Sequence, residues 1–203
     1  MATTQRGRAR SRSPVDNKSL MKNVNELSIG KPQVDADVTT YPLSFGKDPV
    51  AFTVGGGISP FEISSMFESP RKTLTLRLPQ IWEECLVEWE TELVAYIAKH
   101  RAKYFGSDAS EKDVIDGYSS FTKKTGVYAM NMHVKVNTAG FYAVRYWDAD
   151  RQSIPPPDSH AQSKFNVRCV LRAIWVKKDQ TWGVVVDGTD LQLLEQVTAE
   201  CPF

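Results

Sequence analysis

The sequence predicts a mainly β protein with a single long α-helix, and three observations lead to this prediction. Apolar residues recur at helical spacing in one long stretch, residues 79–105. From residue 127 onward, apolar and polar residues alternate with the period of two that is typical of strands. Short turn-forming segments, with no helices between them, separate these strands. That pattern favours an antiparallel barrel or sandwich.

The predicted helix combines an apolar stripe with a charge gradient along its axis. The stripe consists of Trp82, Leu86, Trp89, Leu93 and Tyr96. Five glutamates crowd the N-terminal half and three basic residues the C-terminal half, which complements the helix dipole. Pro79 suits the first turn and Gly106 the position after the last, so we expect the helix to span residues 79–105.

Two segments of different composition precede the main body. Residues 1–32 hold seven basic and two acidic side chains and few apolar ones, which predicts a basic arm that is disordered unless a partner holds it. The arm's candidate contacts to nucleic acid or to an acidic protein surface are Arg6, Arg8, Arg10 and Arg12. A solubilising tail is the alternative. Residues 33–70 are rich in proline and glycine and predict an extension with one short strand at 50–54. The three glycines that follow predict a flexible loop, because no Gly-Lys-Ser/Thr comes after them.

Residues 71–203 are predicted to form the barrel. Strands are expected at residues 72–78, 127–137, 141–147, 164–177 and 181–197. Residues 106–126 form a polar connection with a helical turn or two at 111–118. On the longest strand, one face carries Phe165, Val167, Cys169, Leu171, Ala173 and Trp175. About five strands and one helix are the elements of an OB-fold, a small Greek-key barrel.

Charge, cysteine content and the lack of long apolar runs argue against a disulfide-rich, a zinc-binding, a membrane-spanning and a secreted protein. Outside residues 1–32 the chain holds 18 basic and 22 acidic side chains, so attraction to polyanions falls to the arm or to a local patch. The three cysteines lie far apart, which supports neither a disulfide framework nor a zinc site and favours an intracellular location. No apolar run approaches the roughly 18 residues that a membrane span needs, and no secretory signal is expected.

The order of the elements resembles that of a known family. A strand ending in proline (TLTLRLP, 73–79) runs into the Glu-rich helix, and a strand pair and a proline-bearing loop follow later. A strand of the form K-F-x-V-R-x-x-L (164–171) and a last strand with DLQLL (190–194) complete the order. This order resembles the OB-fold single-stranded DNA-binding proteins of short-tailed phages and their relatives in large DNA viruses of eukaryotes. The resemblance implies a non-catalytic protein that coats single strands during DNA replication or recombination in an infected cell. Many such proteins end in an acidic tail with a terminal aromatic residue that docks onto replication partners. Phe203 resembles that terminal residue, but the acidic tail is missing here.

Single-stranded nucleic acid is bound by cations that follow the backbone and by aromatic rings on which bases stack. The strand faces opposite the predicted core offer both. We expect phosphate contacts from Lys135, Arg145, Arg168 and Arg172, and base stacking by Tyr142 or Trp147. The alternative is an ordinary solvated face with the aromatic residues in the core.

Residues suited to catalysis or metal binding are not grouped in the sequence. His100, His133 and His160 lie on different elements without metal-ligand spacing. Asp148 and Asp150 are better explained by a hairpin turn than by a cation site. We therefore predict no enzyme, no metal and no cofactor. A second hypothesis is a structural virion component, a minor capsid protein whose arm clamps neighbouring subunits; the acidic body favours it. Self-association and the choice between DNA and RNA stay open.

Overall fold

A computed structural model describes residues 23–65, 68–124 and 130–196. In chain order these residues form a 3₁₀ turn (Val24–Glu26), β1 (Ser28–Ile29), β2 (Gln33–Asp35), β3 (Val38–Phe45), β4 (Asp48–Ile58), β5 (Arg71–Arg77), α1 (Gln80–Lys99), α2 (Ala102–Phe105), α3 (Glu111–Asp116), β6 (Tyr118–Ser119), β7 (Thr122–Lys124), β8 (Met130–Asn137), β9 (Arg145–Trp147), β10 (Ser153–Ile154), β11 (Lys164–Lys177) and β12 (Trp182–Glu195). The predicted class, mainly β with one long helix, is confirmed.

Five of the strands close into a barrel of the OB type. Around the barrel the order is β4, β5, β8, β12 and β11, and β11 pairs again with β4. The β8–β12 pair is parallel and the other four are antiparallel. β12 also pairs in parallel with β6 and β9, so the antiparallel arrangement predicted from the sequence dominates without being complete. Closure leaves none of the five barrel strands as an open edge along its whole length.

The apolar residues that alternate with polar ones along β5 and β8 fill the barrel interior. Leu74 and Leu76 of β5 face Met132 and Val134 of β8, and all four are fully buried. Trp182 begins β12 in the same core, and its indole N–H donates to the carbonyl of Val114 at 2.7 Å. The predicted alternation in the strands at 72–78 and 127–137 is confirmed for the residues that the structure describes.

The long helix is shorter than the sequence predicts. α1 ends at Lys99 instead of continuing to residue 105, and α2 follows after a break at His100 and Arg101. The break lets α2 turn Tyr104 into the core, where its ring meets that of Tyr41 edge-on at 5.2 Å between centroids. The buried stripe runs through Trp82, Leu86, Trp89 and Leu93 as predicted, then continues at Ile97, while Tyr96 is half-buried. No helix among the described residues is long and apolar enough to cross a membrane.

β11 bends, and this overturns one part of the predicted core. The odd-numbered residues from Phe165 to Leu171 are fully buried, but Ala173 and Trp175 are only half-buried. A bulge between Leu171 and Ala173 flips the alternation, so Ile174 and Val176 point inward instead. The bend coincides with a change of partner, because β11 pairs with β4 up to Leu171 and with β3 from Ala173 onward.

Residues before the helix take a larger part in the sheet than the sequence predicts. The glycines at 55–57 lie inside β4, an eleven-residue strand, so the predicted flexible loop there is wrong. β11 pairs with β4 at Val54 and again at Gly57 with a register shift between them, and Gly56 in this irregularity has φ = 71°, a conformation that glycine adopts readily. Within the segment predicted to be the arm, Val24 and Leu27 are buried in the core. The division into an arm, an extension and a barrel at residues 32 and 70 stays a prediction.

Candidate nucleic-acid interface

Strand register places two of the predicted cations in one row across the outside of the barrel. Arg168 of β11 lies opposite Thr53 of β4 on one side and Asp190 of β12 on the other. Asp190 in turn lies opposite Arg145 of β9. The next row runs from Asn166 through Gln192 to Trp147. We call this surface the β9–β12–β11 face; its side chains are exposed or half-buried because the opposite side of each strand fills the core.

Asp190 is the centre of the first group of charges on this face. Its carboxylate lies 2.7 Å from the guanidinium of Arg145 and 3.8 Å from that of Arg168, and the Thr189 hydroxyl donates to it at 2.8 Å. The indole N–H of Trp147 donates to the same carboxylate at 3.1 Å. Burial opposes the ionisation of this carboxyl, but the hydrogen bonds from Arg145, Thr189 and Trp147 outweigh it and hold its pKa below the ordinary value.

Asp187 is the centre of a second, similar group. Arg71 of β5 donates to it at 2.8 Å, and the Nε of Arg172 on β11 donates at 3.1 Å. Lys135 of β8 is its cross-strand partner, with an ammonium group that donates to the Thr73 hydroxyl at 2.8 Å. Arg172 thus contacts one carboxylate and Arg145 and Arg168 lie close to the other, whereas the ammonium group of Lys135 contacts Thr73.

Trp147 forms one wall of a shallow cleft on the β9–β12–β11 face. The guanidinium carbon of Arg145 lies 5.8 Å from its ring centroid, within range of a cation–π contact. The cleft has a volume of about 370 Å³ and is lined by Thr53, Trp147, Arg151, Asn166, Arg168, Asp190 and Gln192. Gln192 anchors the rim, since its amide donates to the carbonyls of Asp148 and Ala149 at 3.1 Å each. The cleft therefore combines an aromatic ring, two amides and three guanidinium groups at or beside its wall.

Tyr142 lies apart from the cleft, because the predicted strand at 141–147 is wrong over its first half. β9 begins only at Arg145. Gly140 has φ = 82°, and the amide of Ala143 donates back to its carbonyl, so the chain turns where a strand was expected. Phe141 and Tyr142 consequently sit at the tip of the β8–β9 connection, 95% and 73% exposed, with their rings edge-to-face at 5.2 Å. Tyr146, by contrast, is buried in the core.

The sequence argument overlooked a basic surface on the neighbouring strands. Arg77 of β5 lies opposite Asn131 of β8, which lies opposite Lys123 of β7. One register step away, the Nδ1 of His133 lies 3.3 Å from the Thr75 hydroxyl. We call this surface the β5–β8 face: Thr73, Thr75, Arg77, Lys123, Asn131, His133 and Lys135. The alternation of Leu74 and Leu76 with polar residues in β5 already indicates that Arg77 lies on this outer surface. Lys123 is recognised as a member only once the pairing of β7 with β8 is known.

The β5–β8 face is electropositive. Burial lowers the pKa of His133, and the positive charges of Lys123 and Lys135 lower it further. The charged groups that act on this imidazole are therefore cations. Lys135 belongs to this face and is also the cross-strand partner of Asp187, so the two faces are continuous around the barrel.

Other predicted functional residues have structural roles or lie outside the described residues. The Asp148 carboxylate accepts from the Gln152 amide at 2.8 Å and closes a hairpin turn, as predicted. His160 is buried, with its Nε2 2.9 Å from the Tyr146 hydroxyl. Across residues 23–65, 68–124 and 130–196, no group of three or more His, Cys, Asp or Glu side chains could hold a metal ion. The arm arginines Arg6, Arg8, Arg10 and Arg12 and the terminal Phe203 lie outside the described residues.

No family model matches the sequence, and no curated protein matches it. The fold is similar to solved structures of phage proteins. One is gp2.5, a single-stranded DNA-binding protein encoded by bacteriophage T7, with 14% identity, a TM-score of 0.48 and coverage of 75% of this chain and 95% of that one. Another is the single-stranded DNA-binding protein of bacteriophage Enc34 in complex with single-stranded DNA, with 11% identity, a TM-score of 0.49 and coverage of 82% and 96%. At this degree of identity and overlap, the likeness assigns neither a ligand nor binding residues. Both are phage proteins. The relations to short-tailed phages in particular and to eukaryotic viruses stay predictions.

Proposed function

We propose that the protein binds single-stranded DNA and catalyses no reaction. The observation that carries this proposal is the continuity of the β9–β12–β11 face with the β5–β8 face. Together they place Arg145, Arg168, Arg172 and Lys135 on the outside of one barrel, with Arg145 beside the Trp147 ring. Cations that follow a backbone, combined with a ring on which a base can stack, are what single-strand binding requires.

The exposed aromatic tip suits unpaired bases. Phe141 and Tyr142 offer ring surfaces that the rest of the described chain does not cover. The two ends of the connection carry cations, since Arg145 begins β9 and Arg71 lies opposite Asn137 at the end of β8. Bases can therefore reach the rings while phosphates stay close to positive charge. Stacking on every base type predicts little sequence preference.

The biological setting follows from the element order alone. We infer a role in DNA replication or recombination inside a virus-infected cell, with single-stranded DNA as the partner. The alternative, a structural virion component, depends on the arm as a clamp, and its arginines lie outside the described residues. The excess of acidic side chains outside residues 1–32 is the feature that favours that alternative.

A salt titration with matched lysine variants tests the proposal. Fluorescence anisotropy of a labelled oligothymidylate of about 20 nucleotides should report binding that weakens as salt rises from about 50 to 200 mM. Lys135→Gln should reduce the slope of log K against log salt by about 0.7, the value for one lost phosphate contact on a single strand. Lys178→Gln removes the same charge from the turn after β11, where Lys178 pairs with Asp37, and should leave the slope unchanged.

Two results would contradict the proposal. The first is wild-type protein that shows no affinity for the oligonucleotide, or affinity that does not respond to salt. The second is an equal change of slope for both lysine variants, which would mean that overall charge and not this surface attracts the strand. A duplex of the same length serves as a further comparison, because paired bases cannot stack on Trp147 or on the tip, and it should bind more weakly.

A further inference from the structure

The two aspartates of β12 occupy the positions at which a bound phosphate would be expected. Each carboxylate lies between two arginines from different strands: Asp190 between Arg145 and Arg168, and Asp187 between Arg71 and Arg172. Arg145 and Arg71 lie 2.7 and 2.8 Å from their carboxylates, the range of charge-assisted hydrogen bonds, and Arg172 lies at an ordinary hydrogen-bond distance of 3.1 Å. A phosphate oxygen makes the same kind of contact to a guanidinium group as a carboxylate oxygen does.

The aspartate and arginine side chains differ in how much of their surface is exposed to solvent. The carboxylate side chains are 15% exposed, whereas those of the four arginines are 43–61% exposed. The arginines are therefore accessible to a ligand from solvent, while the carboxylates lie beneath them against the sheet. A DNA phosphate that approaches this face meets guanidinium groups whose charge is already compensated from below.

We propose that Asp187 and Asp190 are built-in competitors of DNA phosphate, which limit how many of these four arginines can contact the strand at once. This inference rests on the proposed function. Each arginine with a short contact is held toward its carboxylate, which compensates its charge, so turning outward to a phosphate costs a charge-assisted hydrogen bond. The face therefore binds single strands less tightly than its arginine content suggests, and a protein that coats a strand can leave it again. Within the part of the chain that the structure describes, the cations of the β5–β8 face form no salt bridge, so this face then supplies the first phosphate contacts.

Two variants that replace an aspartate by asparagine test the proposal, because each frees arginines from their carboxylate partner. Asp187→Asn is the primary variant, because the hydrogen bonds that its carboxylate accepts come from Arg71 and Arg172. Asp190→Asn is the second, since an asparagine can still accept from the Trp147 indole. We expect each to raise affinity for the oligothymidylate by about tenfold, which corresponds to about 1.4 kcal/mol. We also expect each to steepen the salt slope by about 0.7, because a released arginine gains a phosphate contact.

Two controls separate competition from a simple loss of negative charge. Asp37→Asn removes the same charge from the Lys178 pair, away from this face, and should change neither affinity nor slope. Adding Arg172→Gln to Asp187→Asn should abolish most of the gain, since the released arginine is then missing. Urea midpoints of all variants establish that they fold; should Asp190→Asn unfold, Asp187→Asn and its double variant decide the question.

The possible results distinguish this inference from the proposed function. Wild-type protein and both variants without affinity for single strands would overturn both. Wild-type binding with no gain in Asp187→Asn or Asp190→Asn, or a gain without a steeper slope, would overturn the competitor role and leave the proposed function standing. A gain that survives Arg172→Gln in full would overturn it as well, because the gain would not come from the released guanidinium group.

Discussion

Glu90 offers a sharp test of what holds the helix to the barrel. It is 5% exposed on α1 and is the only acidic side chain in the buried set among the described residues. Its carboxylate accepts from the Tyr118 hydroxyl at 2.5 Å, from the Ser120 hydroxyl at 2.8 Å and from the Phe121 amide at 3.1 Å, and it also contacts the Thr122 hydroxyl. These donors all lie between α3 and β7, so a single carboxylate fixes that connection to α1.

The cost of removing the carboxylate follows from the donors left behind. Glu90→Ala leaves the Phe121 amide and the Tyr118 hydroxyl without their acceptor, whereas the Thr122 and Ser120 hydroxyls still contact each other at 3.1 Å. Unsatisfied buried groups cost about 1–3 kcal/mol each. The Tyr118 hydroxyl can reorient and the groove beside Glu90 can admit water, so the lower end applies, and we expect about 2 kcal/mol in total. Glu90→Gln keeps one oxygen for Tyr118 and Phe121 and offers an amide to the other hydroxyls, so we expect about 1 kcal/mol.

Urea unfolding followed by circular dichroism measures these differences. The matched control is Glu92→Ala, two residues along the same helix on an exposed position, which we expect to lie within about 0.5 kcal/mol of wild type. A Glu90→Ala protein as stable as the control would refute the assignment of Glu90 as an anchor. Equal losses for the alanine and glutamine variants would instead show that the negative charge matters and that the number of satisfied donors does not.

Three further predictions concern packing, stacking and pH. Gly188→Ala should cost about 1–3 kcal/mol in urea unfolding, because the added Cβ would lie 3.0 Å from the Cγ1 of Val134 where β12 crosses β8; Gly55→Ala, whose Cβ would meet its nearest atom at 3.6 Å, should be tolerated. Trp147→Leu should weaken single-strand binding by about 1–3 kcal/mol without changing the salt slope, since it removes a ring and no cation; an altered slope in the titration would argue against stacking. Burial lowers the pKa of His160 more than nearby Glu62 raises it, so the unfolded chain binds the proton more readily, and stability should fall as the pH drops below about 6.5. His160→Gln should flatten this part of the stability–pH curve, and an unchanged curve would assign the effect to other groups.

The sequence by itself determined which side of α1, of β5 and of β8 is buried. The spacing of Trp82, Leu86, Trp89 and Leu93 fixes the inner side of α1, and the alternation in β5 and β8 fixes which residues fill the barrel. Both signals are local, because the period of a helix or a strand is set by its own backbone geometry. For the same reason the exposed sides of β8 and β11 could be read from the sequence, and with them the candidate cations Lys135 and Arg168.

Only the tertiary structure decided how the elements align with one another. A bulge after Leu171 reverses the alternation in β11, and Gly140 turns the chain where strand-forming residues predicted a strand. The same holds for the pairing of Arg71 with Asp187, residues that are far apart in the chain and meet only because β5, β8 and β12 are adjacent in the barrel. Register between strands is set by closure of the whole barrel and not by the pattern within one strand. The charge that a DNA strand would meet on this surface therefore depends on partners that no local pattern reveals.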